Sequence, residues 1–177
     1  MSPVPLGDER ETGGEAAEPS SALPRTFEDA DGRRIVLRAY ADEDDAVDAM
    51  YAAFDPADRA QGLPPATESR RRAWLEDLLE GGLHVLAWHE SRVVGHVALL
   101  PMDDARVELA VFVASGYQRA TIGTHLLDAA FDYAREHGIE RIWLTVERRN
   151  TPARRLYETT GFETVATGCE YEFEREL

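Results

Sequence analysis

A chain of 177 residues suits one domain with a single sizeable core, and its 44% hydrophobic content argues against wholesale disorder. It carries 34 acidic and 19 basic residues, a formal net charge of -15, so phosphate backbones are repelled and nucleic acid is excluded as a partner. No run approaches the ~20 consecutive apolar residues of a membrane span. Met1 to Arg25 has neither the basic start nor the apolar stretch of a secretory signal. A lone Cys169 can form no internal disulfide. These absences together lead us to expect a cytoplasmic protein.

Every basic residue is Arg; the sequence contains no Lys. An acidic surface can recruit a cationic substrate, or it can keep a protein hydrated in a salt-rich cytoplasm. The absence of Lys favours the second, halophilic reading, because substrate recruitment gives no reason to avoid Lys elsewhere. Bulk acidity therefore says little about the substrate.

In chain order, residues 1–25 are rich in Pro, Gly, Ser and Glu and read as a disordered acidic tail, with a folded domain over residues 26–177. Arg34 to Arg38 is a short strand. Asp42 to Phe54 sets Ala46, Val47, Met50 and Phe54 on one helical face. Pro56, Gly62, Pro64 and Pro65 mark an irregular connection, and a second helix is predicted over Thr67 to Leu79, stopped by Gly81-Gly82. Leu83 to His89 and Arg92 to Leu100 read as an antiparallel hairpin, with a third strand over Arg106 to Ala114. Ile122, Leu126, Leu127, Ala130, Phe131 and Ala134 then recur at helical spacing up to Gly138. Ile142 to Val146 is a buried-type strand. Thr151-Pro152 is expected as N-cap and first-turn pair of a helix ending before Gly161. Val165 to Phe173 supplies one or two closing strands. The order implies an α/β (α+β) domain with a mixed sheet flanked by helices.

One turn carries chemistry. Tyr117 to Thr124 joins a strand to the long helix, and such a turn aims several backbone N–H groups and the positive end of the helix dipole at one point. Gly123 permits close backbone approach, and Arg119 adds a charge-assisted contact to an anion there.

Glu108-Leu-Ala-Val-Phe-Val-Ala-Ser-Gly-Tyr-Gln118, followed by Ile122-Gly-Thr124, resembles the fourth strand and pyrophosphate loop of the GNAT superfamily of N-acetyltransferases. Asn150-Thr-Pro-Ala-Arg-Arg-Leu-Tyr-Glu-Thr-Thr-Gly-Phe162 is similar to that family's Asn, Ala, Leu-Tyr and Gly-Phe pattern. The resemblance covers roughly Arg34 to Phe173, with those two stretches the specific part. It implies the GNAT acyl-CoA N-acyltransferase fold, a mixed and mostly antiparallel sheet whose fourth and fifth strands splay to admit acetyl-CoA. By the same resemblance, Val111, Phe112 and Val113 lie along the pantetheine arm, with the backbone of Val111 and Val113 pairing with it. Gln118 opens the loop; amides from Arg119, Ala120, Thr121, Ile122, Gly123 and Thr124 hold the diphosphate. Asn150 contacts the cofactor, and Tyr157 lies near its sulfur. The family's loop usually reads Gln/Arg-x-x-Gly-x-Gly/Ala; here Thr121 replaces the first Gly, with its hydroxyl expected to donate to a phosphate oxygen.

Acyl transfer to an amine needs a base, donors for the thioester oxygen and a proton for the leaving thiolate. Glu108 matches the family's fourth-strand acidic residue and is the expected base; Tyr157 matches its general acid. The five His lack ligand spacing, so no metal is expected. Trp74, Trp88 and Trp143 read as core, and Arg70-Arg71-Arg72 as a solvated helix face. Arg148-Arg149 and Arg154-Arg155 are candidates for the cofactor's 3′-phosphate.

The expected function is direct acetyl transfer from acetyl-CoA to a primary amine. Met50 to Trp74 resembles the corresponding part of protein-lysine acetyltransferase-type domains, which favours a protein lysine or N-terminus as acceptor. The alternatives are a small amine, such as a polyamine, amino acid or antibiotic, and a non-catalytic acyl-CoA sensor. A homodimer is compatible with this reading.

Overall fold

The computed structural model describes residues 22–59, 62–103 and 105–177. The strands form one eight-stranded sheet in the order β1-β2-β3-β4-β5-β6-β8-β7. They are β1 (Arg25–Glu28), β2 (Arg34–Ala39), β3 (Leu83–His89), β4 (Arg92–Pro101), β5 (Arg106–Val113), β6 (Arg141–Glu147), β7 (Glu163–Thr167) and β8 (Glu170–Glu176). Every neighbouring pair is antiparallel except β5 with β6. Helices α1 (Asp44–Ala52), α2 (Glu68–Leu79), α3 (Ile122–Glu136) and α4 (Thr151–Thr159) flank it.

Two apolar layers sandwich the sheet. One joins Ile35, Leu37, Val85, Val97, Leu99, Leu109 and Leu144 to α3 through Leu126, Leu127 and Ala130 and to α4 through Tyr157. The other joins Leu86, Trp88 and Ala98 to Val47, Met50 and Tyr51 of α1 and Leu75 and Leu78 of α2. Alternation along each strand feeds the two layers in turn, so β5 gives Val107 and Leu109 to one and Ala110 and Phe112 to the other. Gly95 on β4 sets the depth of α3: a Cβ there would lie 2.7 Å from Leu126 Cδ1. The helix therefore sits close on the sheet, and its first turn is held at the end of β5.

The structure corrects the sequence reading in three places. Ala22 and Leu23 are buried in the core and β1 begins at Arg25, so packing starts before the boundary expected at Thr26. The rest of the expected tail, residues 1–21, lies outside the described residues. Strand β1 itself was not foreseen, although Asp31-Gly32 between β1 and β2 is a hairpin turn signal. Arg71 is not on a solvated face: it is buried and its Nε donates to Asp48 Oδ1 at 2.7 Å, tying α2 to α1. A charge at that depth requires such a partner.

Candidate functional site

The central event in the sheet is a parting of strands. Pairing of β5 with β6 runs over Arg106↔Arg141, Val107↔Ile142 and Glu108↔Trp143 and goes no further, although β5 continues to Val113 and β6 to Glu147. Beyond Glu108, β5 is paired on its β4 side only. Ala114 N–H donates to Val94 O on the β4 side, so by strand alternation the amides of Leu109, Val111 and Val113 face the open side. The opening is thus a wedge with an unsatisfied strand edge as one wall.

At the wide end of the wedge the chain makes a 3-10 turn, Ser115–Tyr117, and enters α3. Among the described residues, no hydrogen bond claims the main-chain amides of Arg119, Ala120, Thr121, Ile122, Gly123 or Thr124. Arg119 (φ 58°) and Thr121 (φ 69°) both take the left-handed conformation that non-glycine residues avoid, at a cost of about 1–2 kcal/mol each. Alternating hands of backbone turn successive N–H groups toward one point, making an anion-binding concavity at the positive end of the helix dipole. Gly123 stands where α3 meets α4: a Cβ there would approach Leu156 Cδ2 to 3.3 Å and Val113 Cγ2 to 3.9 Å. Free amides, a parted strand and a close helix junction together fit an extended ligand with an anionic group near its middle, as acetyl-CoA has.

The individual residues fall as follows. Gln118 starts the loop and its Nε2 donates to Val113 O at 3.1 Å, occupying one acceptor site at the wedge mouth. Thr121 Oγ1 donates to Ala120 O at 2.6 Å, so its proton is turned inward and the expected donation to phosphate is not the geometry observed. Phe112 points away from the wedge into the α1–α2 layer, with its ring 5.2 Å from Tyr51 and 5.8 Å from Trp74. Asn150, not Thr151, is the N-cap of α4, its Oδ1 accepting from Ala153 N at 3.2 Å, with Thr151 and Pro152 as the first helical residues. An Asn carboxamide reaches that N–H, and the cap leaves its Nδ2 available.

Glu108 is exposed at the last paired position, beside Trp143, which faces Glu174 across β8. Tyr157 is 7% exposed and packed edge-on against Phe162 at 5.4 Å. Burial raises its pKa, so the phenol stays protonated at neutral pH. Glu108 shares the sheet face of Phe112 while Tyr157 belongs to the opposite layer, so the two lie on either side of the wedge and not side by side.

Arg148 and Arg154 both lie over the Tyr171 ring, at 5.3 and 4.0 Å, and Arg149 pairs with Glu147 at 2.7 Å. Sequence reading also treated the histidines as scattered, yet His84 Nδ1 and His96 Nε2 lie 3.1 Å apart in the core. Two contacts from the β1–β2 turn reach the loop and were not foreseen: Ala30 N–H donates to Ala120 O at 3.1 Å, and Arg33 Nη1 donates to Gly116 O at 3.0 Å.

Residues 44–162 match the model of the Acetyltransferase (GNAT) family, from the start of α1 to the end of the Gly161-Phe162 turn. The chain belongs to the GNAT family. Among curated GNAT relatives, an uncharacterized N-acetyltransferase of Mycobacterium tuberculosis is 34% identical over 82 residues, 46% of this chain and 53% of that protein. A mycothiol acetyltransferase of Saccharomonospora viridis is 30% identical over 168 residues, 88% of this chain and 53% of that protein. The chain thus spans about half the length of these curated relatives. The GNAT domain of S. lividans PAT superposes with a TM-score of 0.76 at 15% identity, covering 90% of this chain and 99% of that one. The PaiA N-acetyltransferase of Thermoplasma acidophilum, solved in complex with coenzyme A, gives 0.63 at 17% identity, covering 81% and 99%. At these identities the structures show the GNAT fold.

Proposed function

We propose that this GNAT chain is an acetyl-CoA-dependent N-acetyltransferase that moves acetyl directly to a primary amine. The observation that carries the reading is the run of unclaimed amides at the head of α3 beside the parted strands β5 and β6. Amides of Arg119 to Thr124 would hold the diphosphate, the gap-facing edge at Val111 and Val113 would hold the pantetheine arm, and Asn150 would contact it through Nδ2. When bound, acetyl-CoA supplies the activated acetyl group.

The chain's own residues divide the proton work. An amine protonated at neutral pH, with a pKa near ~10.4 for a lysine-like group, must lose a proton before it attacks. Glu108, exposed where the strands part, is the base, directly or through water. The nitrogen–carbon bond forms as the carbon–sulfur bond breaks, the nitrogen sheds its second proton to water as the amide forms, and an open-edge amide of β5 donates to the carbonyl oxygen as charge develops. Tyr157, kept protonated by burial, gives its proton to the departing thiolate. The acceptor we favour is a protein lysine or N-terminus, on the resemblance of Met50 to Trp74 to domains of that type. Relatives named mycothiol acetyltransferases favour a small-molecule amine as the second reading.

The test is an acceptor screen in high salt that follows release of the CoA thiol. With an active acceptor, Glu108→Gln and Tyr157→Phe should each lower kcat by about 10²–10⁴ while calorimetry shows CoA still bound. Turnover unchanged in both variants would overturn the two roles. A wild-type chain that does not bind CoA at all would overturn the activity.

A further inference from the structure

The loop at the head of α3 is held in an uncommon shape, and two of its own bonds, Tyr117 N–H to Ala114 O and Gln118 Nε2 to Val113 O, lie ahead of its left-handed residues. Two of its residues, Arg119 and Thr121, are left-handed, and the amides from Arg119 to Thr124 make no hydrogen bonds of their own among the described residues. A backbone with those features persists only when its surroundings over-determine it. Those surroundings include the turn between β1 and β2, outside the stretch that the family model matches.

The turn is built around Asp29, which is 5% exposed. Its Oδ1 accepts from Asp31 N at 3.0 Å and Arg33 N at 2.9 Å, and its Oδ2 from Arg33 Nε at 2.7 Å. That carboxylate fixes the Arg33 guanidinium, which lies 4.2 Å from the Tyr117 ring centroid while Nη1 donates to Gly116 O. One residue along the turn, Ala30 N–H donates to Ala120 O. The same Tyr117 is gripped from below, its hydroxyl 2.8 Å from His89 Nδ1 on β3. The loop is therefore pinned at Gly116, Tyr117 and Ala120, on both sides of its first left-handed residue.

We propose that Asp29 and Arg33 are positioning residues for the cofactor: through the β1–β2 turn they hold the loop from Gly116 to Ala120 in its diphosphate-receiving shape before the ligand arrives. The proposal rests on reading that loop as the diphosphate cradle. Neither side chain touches the ligand. Their effect is to remove the ordering cost that a slack loop would impose on binding. The effect is confined to the diphosphate half of the site, because the pantetheine wall is strand β5 and is held by β4.

Two ligands separate this from general damage. CoA carries the diphosphate, and pantetheine does not. Affinity for CoA is measured by calorimetry and for pantetheine by NMR shift titration, in wild type, Arg33→Ala and the double variant Asp29→Asn/Arg33→Gln, which leaves no buried unpaired carboxylate. The expected result is a loss of about tenfold or more in CoA affinity in both variants, with pantetheine affinity unchanged. Equal losses for the two ligands would reduce the turn to ordinary scaffolding, and unchanged CoA affinity would remove it from the site; either overturns the proposal. So would failure of both variants to fold, because a brace for one loop does not decide folding. Wild type that binds neither ligand would instead overturn the acetyltransferase reading.

Discussion

The two faces of the sheet are held by different kinds of contact. Under α3 the geometry comes from close approach of apolar groups: Gly95 lets Leu126 descend onto the strands, and Gly123 lets α3 meet Leu156 of α4. Under α1 a polar chain runs through the core. Tyr51 Oη lies 2.6 Å from His96 Nδ1, His96 Nε2 lies 3.1 Å from His84 Nδ1, and His84 Nε2 lies 2.8 Å from Gly81 O. A carbonyl only accepts, so His84 Nε2 carries a proton; with both rings neutral, each later link is fixed in turn, and Tyr51 must donate. The face that carries the loop is positioned by shape. The face toward which Glu108 points is positioned by direction.

That contrast can be broken on either side. The largest effect is expected from Gly95→Val, which drives methyl groups into Leu126 and Ala87 and should cost about 3 kcal/mol, or roughly 10 °C in Tm. A thermal melt checks it; a loss under a third of that would mean α3 is free to retreat. Next comes Tyr51→Phe, which keeps the ring contacts with Phe54, Trp74 and Phe112 and removes one donor. It leaves His96 Nδ1 a buried acceptor without a partner, for about 1–3 kcal/mol by urea unfolding. No change would show that water fills the gap and that the chain of hydrogen bonds is not directional.

The smallest effect concerns pH. Burial, with a contribution from His84, pushes the pKa of His96 down to about 3, and burial lowers that of His84 against the opposing effect of its bond to Gly81. Both therefore stay neutral in the folded chain when the unfolded chain begins to take up protons near pH ~6.5. The unfolded state then binds more protons, so stability is full above that pH and is lost as pH falls below it, for His96 down to about 3, by at most ~1.4 kcal/mol per pH unit for each ring while it stays neutral in the folded chain. Melts of wild type and His96→Gln at pH 7.5, 6.5 and 5.5, each about one unit apart, measure this, and the variant should lose less on acidification. Parallel curves would mean the ring titrates like a surface histidine.

Much of this architecture was legible in the sequence because its signals are local. Ile122 to Ala134 repeats at helical spacing and became α3; the apolar runs from Leu83 to Val113 became β3, β4 and β5. The loop was readable from its place between a strand and a helix. Hidden features were those that depend on a distant partner. Arg71 looks like any helix-surface arginine until Asp48, 23 residues away, comes into reach. His84 and His96 have no metal-like spacing, and only the β3–β4 register brings their rings together. Strand β1 is four residues long, too short for its alternation to stand out, although Asp31-Gly32 marked its turn. Thr121 was read for its hydroxyl, when its backbone angle was the larger departure.

The parting of β5 from β6 has a consequence for solvent. Amides of Ala110 and Phe112 face β4, while those of Val111 and Val113 look into the wedge. Hydrogen–deuterium exchange along this one strand should therefore alternate residue by residue in the empty chain and even out once the wedge is filled. Occupancy is then visible in the protein itself, without any knowledge of an acceptor.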